Sequence, residues 1–178
     1  MKIDETLKSG IPLPNTKILT LTGLLIASEV VLSRFLSINA WNIRIGFGFL
    51  PIALAGMLLG PLYAGIAAAA ADVLGAVLFP TGPFFPGFTL TAFLTGAVFG
   101  IFLFKKRSPF RVLCAVLINQ LVLSLLLNSL WISILYGSPF LPLLGTRAVQ
   151  TAILIPVQLI VISVILRTPV SRFDLTEK

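Results

Sequence analysis

Residues 43–79 read IRIGFGFLPIALAGMLLGPLYAGIAAAAADVLGAVLF, and Arg44 and Asp72 are their only charged side chains. The stretch is 37 residues long (43 through 79). One helical crossing of a bilayer needs about 20 residues, so it is too long to cross once. Gly60–Pro61 divides it. Glycine suits the end of one helix and proline the first turn of the next. The expected pair is a short helix over Phe47–Leu59, with Pro51 near its start, and a longer one over Pro61–Leu78.

The rest of the chain supports a membrane reading. Of 178 residues, 57% are hydrophobic and 11% charged, against about 25% charged in ordinary soluble domains. Further spans are expected at Ile18–Leu36, Phe88–Phe104, Val112–Tyr136 and Thr146–Leu166. The expected fold class is therefore all-α, a bundle of six transmembrane helices. Residues 1–17 form an N-terminal segment, 18–167 the membrane domain and 168–178 a tail. The first 17 residues contain no apolar run of signal-peptide type.

Charge orders these spans. The chain carries 13 Lys and Arg against 6 Asp and Glu, a net +7. Lys2, Lys8, Lys17, Lys105, Lys106, Arg107, Arg111, Arg167, Arg172 and Lys178 fall on one face if there are six spans. The positive-inside rule makes that face, with both termini, cytoplasmic. Five spans would put Lys105–Arg111 opposite the N-terminus. The excess positive charge thus reads as topology, with the lipid bilayer as partner and no nucleic acid. Three connections, Ser37–Gly46, Pro80–Gly87 and Gly137–Gly145, then lie outside.

Several chemistries are excluded. The chain has no His and one Cys, Cys114. Zinc sites of His and Cys, His-ligated haem and a Ser–His hydrolase are ruled out. There is no Walker A sequence and no inverted repeat of the kind many carriers show. The expectation is a small binding bundle, not an enzyme, with no cofactor.

Polar residues within the spans mark the candidate site. A carboxylate at mid-membrane costs about 2.5–3.5 kcal/mol. Asp72 shares a helical face with Gly65, Ala68, Gly75 and Phe79, so it points into the bundle. It either pairs with an Arg as a strut between helices or contacts a ligand. Ser124, Asn128 and Trp131 share a face at i, i+4, i+7. Arg147, Thr151 and Gln158 form a similar stripe, with Gln150 beside it. Interhelical hydrogen bonding is the plainer role for the uncharged members, and an interfacial belt for Trp131. Arg34, Arg44 and Arg147 lie toward the outside, where cations are disfavoured. Together they suggest an anionic ligand held by forked hydrogen bonds; snorkelling to headgroups is the alternative for Arg34. The segment FPTGPFFPGF, Phe79–Phe88, forms either an aromatic belt or a cover for a flat apolar ligand, with Phe84 and Phe85 foremost. Gly23 and Ala27 make a small-xxx-small pair on span one, which admits a close helix neighbour.

GFGFLPIALAGMLLGPLYAG (Gly46–Gly65) and AADVLGAVLFPTGPFFPGFTLTAFLTGAVFG (Ala70–Gly100) resemble the folate-specific substrate-binding (S) components of energy-coupling factor (ECF) vitamin transporters. LFPTGPFFPGFTLTA is the most distinctive part. The resemblance implies a prokaryotic, multi-pass cell-membrane protein that captures folate outside. It implies a transmembrane scaffold (T) subunit and two cytoplasmic ATP-binding subunits as partners. It also implies scaffold docking through an Ala-xxx-Ala pattern on the first helix, here Gly23 and Ala27. Folate fits the residues: Asp72 receives the pterin 2-amino and ring N–H edge, and Phe84, Phe85 and Trp131 wall the rings. Arg44 and Arg147 match the glutamate tail, with Asn128, Gln150 and Arg34 as further contacts. An S component for another vitamin, a proton-coupled carrier using Glu29 and Asp72, and an assembly protein with no small ligand, whose polar residues only join helices, are the alternatives.

Overall fold

The computed structural model describes residues 16–40, 43–105 and 108–168; for 38–40 and 43–45 it describes the backbone alone. Six of the ten cations used to set topology (Lys2, Lys8, Lys106, Arg107, Arg172 and Lys178) lie outside the described residues. So do most of the N-terminal segment and the tail.

The chain runs α1 (Thr16–Arg34), β1 (Ser37–Ala40), β2 (Ile43–Gly46), α2 (Phe49–Leu59), α3 (Pro61–Leu78) and α4 (Pro86–Leu103). A continuous rod, Pro109–Tyr136, follows. It consists of α5 (Pro109–Leu117), a π-helical segment (Ile118–Leu127) and α6 (Asn128–Tyr136), and α7 (Phe140–Arg167) completes the chain. Among the described residues, five helices are long and apolar enough to cross a membrane: α1, α3, α4, the Pro109–Tyr136 rod and α7. The sixth, α2, has 11 residues and spans about 16 Å at 1.5 Å per residue. That is near half of a hydrocarbon core of about 30 Å, and most of its residues are buried.

Prolines set the helix starts. Pro61, Pro86 and Pro109 occupy the first turns of α3, α4 and α5, where a missing N–H costs no intrahelical bond. Gly60 separates α2 from α3 at φ +84°, a conformation that disfavours any side chain.

Two connections differ from expectation. Ser37–Gly46 is a four-on-four antiparallel hairpin, with Ser37 opposite Gly46 and Asn39 opposite Arg44. Gly137–Gly145 is mostly helix, because α7 begins at Phe140 and only residues 137–139 form the turn. Pro142 and Gly145 look like breakers, but Pro142 falls in the first turn of α7, where its lack of an N–H does no harm. Gly137 ends α6 in the left-handed conformation, φ 63°.

One end of the bundle is dry and closely packed. Met57, Phe99, Leu103, Val112, Val116 and Ile162 are buried together near the Gly60 turn and the α4–α5 connection. α3 and α4 make the most extensive helix pair among the described elements. A methyl at Gly96 would run into the Ala64 carbonyl, and one at Gly100 into the backbone of Pro61. The other end, bounded by the hairpin, the 79–85 loop and the 137–139 turn, is open.

Candidate functional site

At the open, hairpin end a cavity of about 870 Å³ lies between α1, α3, α4, α6 and α7. It is within the size range of small-molecule sites. Its charged lining residues are Arg34, Asp72 and Arg147, two cations against one carboxylate, so the cavity favours anions.

α3 carries Asp72, half-buried six residues before the helix ends at Leu78. The Thr89 hydroxyl donates to its Oδ2 at 2.8 Å. Asp72 makes no ion pair with either lining arginine among the described residues, so the strut reading finds no support there. Among the described residues its Oδ1 and a lone pair of Oδ2 meet no further donor, which suits a ligand with two adjacent N–H groups.

Arg147 is the main correction to the sequence reading. Expected at the mouth of a helix starting near Thr146, it sits two turns inside α7 and is 8% exposed. Its Nη2 donates to the Ser124 carbonyl at 3.3 Å. The π-helix bears on this contact: the Asn128 N–H bonds to the Leu123 carbonyl, five residues back, rather than to Ser124. π-segments are rare and concentrate at functional sites. Asn128, which follows this one directly, lies on the cavity lining.

Phe84 and Phe85 line the cavity as expected, joined by Phe88. Trp131 does not. Its indole N–H donates to Thr91 Oγ1 at 3.0 Å, and its ring lies on Phe85, centroids 5.7 Å apart. It therefore backs the wall through Phe85. Gln150 is buried on α7 but is not part of the lining. Arg44 lies on β2 opposite Asn39; its side chain is outside the described residues. Arg34 lines the cavity and donates from Nη1 to Thr81 Oγ1 at 2.7 Å. Gly23 and Ala27 stand exposed on α1, away from the cavity, with nothing near Gly23.

The threonines were not foreseen. Thr81, Thr91 and Thr95 line the cavity, and Thr89 holds Asp72. The i, i+4 spacing of Thr91 and Thr95 near the start of α4 was the available signal. Among the described residues no group of three or more His, Cys, Asp or Glu could hold a metal ion.

Comparisons with known proteins identify the family. The family model described as "ECF transporter, substrate-specific component" matches residues 17–166. The chain is 48% identical over 139 residues to the folate transporter FolT of Clostridium novyi (strain NT), covering 78% of this chain and 81% of that one. It is 32% identical over 154 residues to the FolT of Leuconostoc mesenteroides subsp. mesenteroides, covering 83% of each. Among solved structures, a crystal structure of FolT bound with folic acid superposes with a TM-score of 0.80 at 41% identity. It covers 84% of this chain and 92% of that one. An S component for biotin superposes with a TM-score of 0.65 at 22% identity, covering 86% and 92%, a likeness of fold alone.

Proposed function

The chain belongs to the family of substrate-specific components of ECF transporters, and from that premise we propose that it is the folate-binding subunit of such a transporter. The observation that carries the reading is the cavity, where one carboxylate and two guanidinium groups converge beside Phe84, Phe85 and Phe88. A folate needs an acceptor for its pterin edge, flat walls for its rings and a cation for its glutamate tail, and this lining supplies all three. The FolT relatives and the FolT–folic acid structure support the same ligand. Saturable binding of folic acid to the isolated chain is the test.

In the proposed orientation the hairpin end faces outside and the termini lie in the cytoplasm, with six helices in the membrane. The four described cations of the inner set, Lys17, Lys105, Arg111 and Arg167, all lie at the closed end, as this requires. Cysteines introduced one at a time at Ser9, Ser108 and Thr81 should react with an impermeant external reagent only at Thr81. Labelling at Ser108 but not at Thr81 would invert the orientation.

The subunit delivers folate inward with a transmembrane scaffold and two ATP-binding subunits. Gly23 and Ala27, exposed one turn apart on α1, supply a flat strip where a scaffold helix approaches closely. Gly23→Leu with Ala27→Leu should abolish copurification of the scaffold and folate uptake. Folate binding by the isolated chain should persist, because neither residue lines the cavity. Normal scaffold yield with the double variant would remove this strip from the interface.

A further inference from the structure

Arg34 ends α1, and its guanidinium rests against α3 where that helix has no side chain. A Cβ at Gly75 would stand 2.7 Å from Nε and 2.9 Å from Nη2 of Arg34, too close for either to remain in place. Gly75 is buried and lies one helical turn from Asp72. The other side of the guanidinium is held by the 79–85 loop, through the 2.7 Å bond from Nη1 to Thr81 Oγ1. The buried Nε has no hydrogen-bond partner among the described residues, and a buried donor left so is costly. Arg34 and Asp72 thus line one cavity wall a turn apart, the first carrying only donors and the second only acceptors.

We propose that Gly75 is a specificity-determining position that seats Arg34 beside Asp72, so that the pair reads a donor–donor–acceptor edge and selects 2-amino-4-oxopteridines over 4-amino analogues. This rests on the reading of the cavity as a folate site. The 2-amino and ring N3–H groups of such a pteridine donate to Asp72, and the adjacent 4-oxo group accepts from Arg34. A neutral 4-amino ring offers Arg34 a donor in place of the acceptor, and it lacks N3–H, so Asp72 also loses one of its two donors. Sites with a dedicated donor discriminate strongly against a ligand lacking its acceptor, because a buried polar group is left unpaired. Gly75 touches no ligand in this scheme; it acts through Arg34, as a positioning residue.

The test titrates folic acid and 4-amino-4-deoxyfolic acid into the full chain in lipid nanodiscs, with the unliganded melting midpoint recorded for every variant. The unsubstituted chain should prefer folic acid by about 10- to 100-fold. Arg34→Gln should lower that ratio by at least about threefold, and Gly75→Ala should do the same although it removes no polar group. The double variant should show no further fall in the ratio, since both changes act on one contact. Should Gly75→Ala fail to fold, Arg34→Gln still decides the matter. Equal affinity of the unsubstituted chain for the two ligands overturns the proposal while leaving the folate site standing. So does an unchanged ratio in Arg34→Gln, or in a folded Gly75→Ala. Failure of folic acid to bind the unsubstituted chain at all removes the folate reading itself, and this proposal with it.

Discussion

Asp72→Asn weakens folic acid binding about 30- to 1,000-fold, equivalent to about 2–4 kcal/mol. The carboxylate already accepts the Thr89 hydroxyl on Oδ2, and its remaining acceptor sites are those a pterin edge requires. An amide has one oxygen. If it keeps Thr89, its NH2 group faces the ligand's donors; if it turns, Thr89 faces the NH2 group and the pterin has one acceptor. Either way a buried donor goes unpaired and a charge-assisted bond is lost. The effect should be as large for a pterin lacking the glutamate tail. Normal binding of both ligands, with only a lowered melting midpoint, would make Asp72 a purely structural residue.

Arg147→Ala costs more than its sequence position suggests. A residue at the start of a helix, near water, would lose about 1–2 kcal/mol of a screened ion pair. Two turns inside α7 and 8% exposed, Arg147 meets a ligand carboxylate where water screens little. Removing one partner from a buried charged pair costs about 2–5 kcal/mol, partly because the other charge is stranded. A loss of folate affinity of at least about 30-fold is expected, and Arg147→Lys should recover only part of it, since an ammonium lacks the planar fork. The loss should shrink for a tail-less pterin. An Arg147→Ala deficit of equal size for folic acid and for the tail-less analogue would show that Arg147 does not hold the tail. The absence of ligand brings its own control: the substitution also removes the bond to the Ser124 carbonyl, so the unliganded melting midpoint separates local loosening from lost recognition.

How far the site was legible from the sequence differs by residue. Gly60–Pro61 divided α2 from α3 correctly, and the Pro61–Leu78 bounds are those observed, because proline and glycine act locally and leave few choices. Asp72 was found because a lone carboxylate in an apolar helix demands an explanation. Trp131 was misplaced for a definite reason. Grouping Ser124, Asn128 and Trp131 assumes α-helical periodicity, and residues 118–127 are π-helical. The i→i+5 turns move Ser124 out of register with the other two, while Asn128 and Trp131 both lie in α6 and differ by their own i, i+3 offset: Asn128 reaches the cavity and Trp131 turns to Thr91 and Phe85. Nothing in INQLVLSLLL announces that geometry; it arises where the rod packs against α4 and α7. The depth of Arg147 was hidden by Pro142 and Gly145: the proline falls in the first turn of α7, where it breaks nothing, and the helix runs on through the glycine. The seat of Arg34 over Gly75 joins residues 41 positions apart (34 and 75), and a single sequence carries no sign of it.

The account stands most directly on one titration: folic acid against the isolated, unsubstituted chain in nanodiscs, with biotin as the control vitamin. It predicts saturable one-to-one binding of folic acid that biotin does not displace. A folded chain that binds biotin or another vitamin and ignores folic acid would contradict it.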